Sequence, residues 1–166
     1  MPLGNYELGK RAETDSWSFL ERIGYHRTNK EERQLIARAH DRCGRSVERS
    51  GFDAIRRTDV SRLRNLAQSP SRVESITLFE VKTAGRNRAK PVGARFQGLG
   101  FTLTSKEKRN AEILGRRYRF LLVDLACERC CVCSLGDFFD PRFSRIYETW
   151  SVFINANGIG RGARFR

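Results

Sequence analysis

Apolar positions recur at helical spacing over 29–43, NKEERQLIARAHDRC, where Leu35, Ile36, Ala39 and Cys43 form one stripe. Asn29 stands where a helix cap belongs and Gly44 where the helix must stop. Upstream, SWSFLERIGY predicts a short helix that turns Trp17, Leu20 and Ile23 toward the main body. The strongest strand signal is SITLFEVKTA, rich in β-branched and aromatic residues and ended by Gly85. SVERSGFDAI predicts a strand before it. Between the two, RRTDVSRLRNLAQSPSR reads as an insertion with one helical turn, capped by Thr58 or Asp59 and broken by Pro70. A Gly- and Arg-rich loop over 85–100 leads to a short strand, FTLT, and then to the helix SKEKRNAEILG. There Thr104 and Glu107 have capping-box spacing and Gly115 supplies the stop. YRFLLVDLA predicts a buried, central strand. IYETWSVFI fits a strand or an amphipathic turn, and NANGIGRGARFR reads as a flexible basic tail.

The order helix, strand, strand, strand, helix, strand predicts an α/β fold with a mixed central sheet flanked by helices. Three parts are expected: an N-terminal helical segment over 1–28 packed on the core, a main domain over 29–154, and the tail over 155–166. With 166 residues, 39% of them hydrophobic, one ordinary core is within reach. No run of eighteen or more apolar residues exists and the first residues lack the apolar stretch of a secretory signal, so the chain is read as soluble and cytoplasmic, with no membrane contact.

Charge changes the picture more than length does. Thirty-two Lys and Arg against nineteen Asp and Glu leave a net +13, and a phosphate backbone is the commonest partner for such an excess. The arginines recur in Gly-containing loops rather than along an amphipathic helix, which favours nucleic acid over a lipid surface. Five cysteines are present, four of them within 127–133, too tightly spaced for a disulfide framework. Reduced thiols account for them. A C-x₂-C pair at Cys127 and Cys130 admits zinc, but no second pair is available to complete a tetrahedron, and small strand residues are the plainer reading.

Candidate chemistry centres on Phe79-Glu80-Val81-Lys82. Side chains alternate along a strand, so Glu80 and Lys82 share one face about 6–7 Å apart, while Thr77, Phe79 and Val81 take the other. A carboxylate that holds Mg²⁺ next to an ammonium that orients or deprotonates water is what metal-assisted phosphodiester hydrolysis requires. Asp53, between aromatic and aliphatic neighbours, is an unusual choice for a solvent-facing position. Glu32 projects onto the middle of the Leu35, Ile36, Ala39 and Cys43 stripe, where it either meets a cation or simply favours the helix macrodipole. His26 and His40 have no neighbouring pattern for nucleophilic hydrolysis.

A helix with an inward Glu32, then Gly51-Phe52-Asp53, then a strand carrying Glu80-Val81-Lys82, resembles the PD-(D/E)XK nuclease superfamily. The continuation from Phe101-Thr-Leu-Thr-Ser-Lys-Glu107 to Tyr118-Arg-Phe-Leu-Leu-Val123 is similar to the family typified by the C-terminal domain of the plant protein NO VEIN; together the likeness covers roughly 30–126. It implies a restriction-endonuclease-like core in which Asp53 and Glu80 bind Mg²⁺ or Mn²⁺, Lys82 assists the water and Glu32 supports the metal site. The expected activity is DNA endonuclease action in restriction, defence or repair; a catalytically inactive nucleic-acid-binding module is the alternative. The spacer 54–79 is longer than in the simplest members, which makes Asp59 a competing metal ligand. Arg86, Arg88, Lys90, Arg95 and Gln97 in the Gly-rich loop, with Lys106 on the helix beyond it, are expected to contact phosphates, aided by Arg161, Arg164 and Arg166 of the tail. Cutting both strands commonly needs two active sites, which leaves a homodimer open.

Overall fold

The computed structural model describes the backbone of residues 5–84, 92–140, 144–146, 151–154 and 164–165, with side chains over 14–84 and 92–140. In chain order the elements are α1 (Asn5–Arg22), β1 (Tyr25–Arg27), α2 (Lys30–Arg42), β2 (Ala54–Arg56), α3 (Val60–Leu63), β3 (Leu78–Ala84), β4 (Gly100–Thr102), α4 (Ser105–Leu114), β5 (Tyr118–Asp124), β6 (Arg129–Cys133), α5 (Leu135–Phe138), β7 (Ser144–Ile146), β8 (Ser151–Ile154) and β9 (Arg164–Phe165).

The main sheet runs β1-β2-β3-β5-β6-β9. Only β3 and β5 are parallel, paired over seven positions from Leu78 opposite Tyr118 to Ala84 opposite Asp124; the other neighbours are antiparallel. This is the mixed, helix-flanked sheet expected from the order of elements. A parallel pair needs a crossover, and the chain between β3 and β5 supplies one that includes α4. β4, β8 and β7 form a separate antiparallel sheet.

Alternation along the strands divides the apolar residues between two layers. On one face, Leu78, Ala84, Phe120, Leu122, Cys131 and Cys133 pack with Ile36 and Ala39 of α2 and with Ala111 and Leu114 of α4. On the other, Phe79, Leu121, Val123 and Cys130 pack with Trp17, Phe19 and Leu20 of α1. The two expected caps form as read: Asn29 Oδ1 accepts the Glu32 amide at 2.8 Å, and Thr104 Oγ1 accepts that of Glu107 at 3.3 Å.

Several expectations change. Tyr25–Arg27 lies inside the proposed N-terminal segment yet forms a strand of the main sheet, and α1 extends from Asn5. The predicted strand through Gly51-Phe52-Asp53 is only three residues long and begins after Asp53. The stretch 57–76 is no peripheral insertion, because Leu63, Leu66, Val73 and Ile76 are buried in the larger core. Asp59 stands at the N-cap of α3 as expected but makes no side-chain capping bond; it is buried and its Oδ1 accepts from Arg62 Nη1 at 2.6 Å, while Pro70 opens a 3-10 turn instead of ending a helix. IYETWSVFI contributes strands at both ends, and Arg164–Phe165 of the expected tail pairs with β6. Cys130 and Cys131 face opposite cores, and burial pushes the Cys131 thiol up to about 12 and that of Cys133 upward as well, so these are packing residues held as thiols. No helix among the described residues is long and apolar enough to cross a membrane.

His40, in the last turn of α2, is fully buried and neither ring nitrogen has a hydrogen-bond partner. Burial, followed by the nearby Arg117 and Arg45 charges, lowers its pKa from 6.5 to about 4 despite Glu74. Between these two values the unfolded chain holds a proton that the folded chain lacks, so stability is lost as pH falls through that window, by roughly 3 kcal/mol from this residue. Urea unfolding followed across pH 4–7 should show His40→Leu losing markedly less stability on acidification than the parent.

Candidate active site

The site is built where β2 is too short to finish pairing with β3. β2 meets β3 only at Ala54 opposite Phe79, and the chain on its N-terminal side turns away at Asp53. The Asp53 backbone is fully engaged: its N–H donates to Phe79 O at 2.8 Å, and its carbonyl accepts from Thr28 N at 2.9 Å and Thr28 Oγ1 at 2.8 Å. That leaves the side chain to serve the next strand position, and Oδ2 accepts the Val81 amide at 3.2 Å. A carboxylate thus replaces a missing backbone partner, which holds it against Glu80.

Asp53 is positioned by Gly51. The Gly51 carbonyl accepts from the Tyr118 hydroxyl and from Asn110 Nδ2, the latter at 3.1 Å. Asn110 also donates to Glu48 O at 2.8 Å and accepts the Glu48 amide at 2.7 Å, clamping the 48–51 turn onto α4. The approach is so close that a Cβ at position 51 would lie 2.7 Å from Asn110 Nδ2 and 3.0 Å from the Lys106 carbonyl carbon and oxygen.

On β3 the expected alternation holds. Leu78 and Ala84, on the Glu80 and Lys82 side of the strand, enter the α2 and α4 core, while Phe79 and Val81 pack toward α1. Lys82 Nζ lies 3.0 Å from Glu80 Oε1 and 2.7 Å from Glu107 Oε2, above the Phe101 ring at 6.0 Å from its centroid. Side-chain exposures of 9% for Glu80, 11% for Lys82 and 7% for Glu107 make this a largely desolvated group of charges. Glu107 Oε2 also accepts the Thr104 amide at 3.1 Å, so one oxygen starts a helix and anchors the lysine.

Burial, followed by the Asp53 carboxylate, raises the Glu80 pKa to about 9 even though Lys82 opposes it. Glu80 therefore keeps its proton at neutral pH and donates it to Asp53. Burial raises the Asp53 pKa as well, countered by the Val81 amide, Lys82 and the Glu80 hydrogen bond. For Lys82 burial pulls the pKa down, but Glu80 and Glu107 outweigh it and the net shift is upward. Three carboxyl groups, Asp53, Glu80 and Glu107, thus surround a single ammonium, and Asp53 with Glu80 is the pair of acids here that could hold a divalent cation.

The structure brings together Asp53, Glu80 and Lys82 of the sequence-predicted set. Glu32 is engaged elsewhere: Oε2 accepts the Asn29 amide at 2.9 Å, and both carboxylate oxygens lie 3.0 Å from His26 Nε2. Asp59 is tied to Arg62 and makes none of the site's contacts. Lys106 Nζ donates to Ser50 Oγ at 3.1 Å, beside the clamped turn. Arg95 is exposed, and Gln97 folds over Gly93 in a turn closed by the Gly93 amide and the Gln97 carbonyl at 3.0 Å. Arg86, Arg88, Lys90, Arg161 and Arg166 lie outside the described residues, as does the Arg164 side chain.

The chain matches no protein-family model, no curated protein and no solved structure. Its chemistry therefore rests on its own residues. Among the described residues no three His, Cys, Asp or Glu side chains are grouped to hold a metal ion. Asp53 and Glu80 make a pair, and Mg²⁺ commonly takes only one or two carboxylates while keeping water in its shell. Sequence reasoning missed Glu107 as the partner of Lys82, and also Asn110 and Tyr118. The capping-box spacing found Glu107 in its local role alone.

Gly51→Ala should destabilise the protein by about 1–3 kcal/mol, since neither the Asn110 amide nor the α4 backbone can retreat without losing the clamp. Urea unfolding measures this directly, and Gly51→Ala should cost more than Gly136→Ala, whose Cβ would meet only Ser134 Oγ, at 3.8 Å.

Proposed function

We propose that the chain is a metal-dependent nuclease of the PD-(D/E)XK type that hydrolyses phosphodiester bonds of DNA, with restriction, defence or repair as its setting. The observation that carries this reading is the placing of the Asp53 carboxylate on the Val81 amide, next to the buried Glu80 carboxyl and the Lys82 ammonium that contacts it at 3.0 Å. Three segments distant in sequence converge on it: the 51–53 turn, β3 and the start of α4. Ordinary structural charges are paired with opposite charges, whereas here two acids are forced together inside the protein. The net charge of +13 supports a polyanionic substrate around this locally acidic centre.

Asp53 and Glu80 are the residues that would hold Mg²⁺ or Mn²⁺, which as a Lewis acid lowers the pKa of a bound water and neutralises charge on the phosphoryl oxygens. Glu80 gives up its proton on binding, and Asp53 remains fixed by the Val81 amide. The raised pKa of Lys82 keeps it an ammonium, so its part is to donate a hydrogen bond that orients the attacking water, not to remove a proton. Glu107 fixes the direction of that ammonium.

One observation favours a second reading, a nuclease-like module that binds nucleic acid without cutting it. Lys82 is enclosed between Glu80 and Glu107, an arrangement that also satisfies a purely structural buried lysine.

Incubated with Mg²⁺ or Mn²⁺, the purified protein should nick or cut supercoiled DNA, and Lys82→Ala should slow cutting by about 100-fold or more while remaining folded by circular dichroism. Calorimetry should show Mn²⁺ binding by the parent and its loss in Asp53→Ala and Glu80→Ala. A parent that binds DNA but neither binds Mn²⁺ nor cuts selects the second reading.

A further inference from the structure

The Lys82 ammonium has three N–H donors and commits two, to Glu80 and Glu107. Three carboxyl groups, Asp53, Glu80 and Glu107, surround the one Lys82 ammonium, so the cluster by itself does not attract a phosphate. A substrate backbone needs another cation at this place. The contacts of Thr28 with the Asp53 carbonyl set the first turn of α2 against the Asp53 turn. Arg33 stands in that turn, its amide bonded to Asn29 O at 3.0 Å.

Arg33 is one of several described arginines with no acidic partner, and it stands in the helical turn held against Asp53. Its helical neighbours at three and four residues' distance are Lys30, Asn29, Ile36 and Ala37, none of them acidic. Glu32, the nearest carboxylate in sequence, is held by His26 and its own helix cap. Among the described residues the Arg33 guanidinium has neither an ion pair nor a side-chain hydrogen bond, although the residue is half-buried. Its charge nevertheless acts on Asp53, opposing the upward shift that burial gives that carboxyl. A half-buried guanidinium in the helical turn held against the Asp53 segment, without an ion pair of its own, keeps its fork of donors available to an anion.

We propose that Arg33 is the phosphate-binding residue of this site, its guanidinium taking the non-bridging oxygens of a backbone phosphodiester presented to Asp53, Glu80 and Lys82. The inference rests on the nuclease reading for the position of the phosphate but concerns binding, which is measured without metal. It adds a substrate contact at the start of α2 to those expected of the Gly-rich loop after β3.

The experiment is fluorescence anisotropy of the full chain with a short labelled DNA duplex in EDTA, over a series of salt concentrations. Arg33→Ala should weaken binding about tenfold at fixed salt and lower the slope of log K against log salt by about one. Arg64→Ala, which removes an equal charge from an exposed position elsewhere, should change both far less. Arg33→Lys should recover the slope but only part of the affinity, because an ammonium keeps the charge without the fork. Thermal melts matched to the parent establish that the variants are folded. The proposal is overturned if Arg33→Ala binds like the parent or like Arg64→Ala, or if the parent does not bind the duplex. A parent that binds through Arg33 but never cuts with Mn²⁺ overturns the nuclease reading and leaves the phosphate contact standing.

Discussion

An ammonium held almost wholly out of water must be balanced by negative charge, and the balance at Lys82 ties distant parts of this chain together. The cost of burying such an ion unpaired is several kcal/mol, on the order of the whole stability of a small domain. Glu107 meets it from the start of α4, and Glu80, two residues earlier on the same strand, accepts a second of its hydrogen bonds. Because the same Glu107 oxygen accepts the Thr104 amide, the helix cannot shift along β3 without exposing the lysine. Fixing α4 fixes Asn110, and Asn110 with Tyr118 fixes the Gly51 carbonyl and hence Asp53. The geometry of the acid pair is thus set from behind, by residues that do not belong to it.

The sheet explains why this polar group tolerates its surroundings. The seven-position parallel pairing of β3 with β5 buries β3 in the middle of the sheet, with an apolar layer on each face. Glu80 and Lys82 interrupt one of those layers between Leu78 and Ala84. β2, by contrast, is only three residues long, and the unfinished ladder at Val81 is completed by the Asp53 carboxylate. Chemistry is concentrated where regular pairing ends, since only there can a side chain take the place of a backbone partner without breaking the sheet. Burial raises the pKa of both acids, and a proton held by Glu80 lowers the cost of enclosing them beside one lysine.

Local acidity and global basicity have separate roles in this arrangement. Under the nuclease reading, the excess of Lys and Arg is what draws a polyanion to the molecule as a whole. Close to the acid pair, however, Lys82 is already committed, and attraction at that range depends on which basic groups have no partner of their own. Arg45 is held by Glu74, Arg62 by Asp59 and Arg129 by Asp124, whereas Arg33 has no such partner among the described residues.

Much of the architecture was legible in the sequence because it is decided by short-range rules. Helical spacing and caps placed α2 and α4 to within a residue or two, and β-branched and aromatic runs marked β3 and β5. Strand alternation put Glu80 and Lys82 on one face, and an Asp beside apolar neighbours pointed to Asp53. What the sequence could not convey were relations between segments. Glu32 looked inward from its helix stripe, but His26, on an edge strand that had no sequence signal, holds it. The stretch 57–76 looked like an insertion because its apolar residues follow no single period, yet Leu63, Leu66, Val73 and Ile76 share one core. Glu107 was visible as a cap and Gly51 only as part of a predicted strand; their further roles arise from contacts spanning 25 and 59 residues. Local pattern determined the elements and the faces their side chains take, because those depend on backbone geometry over a few residues. Only the tertiary structure decided which charges meet, because pairing buried ions depends on where the whole chain closes up.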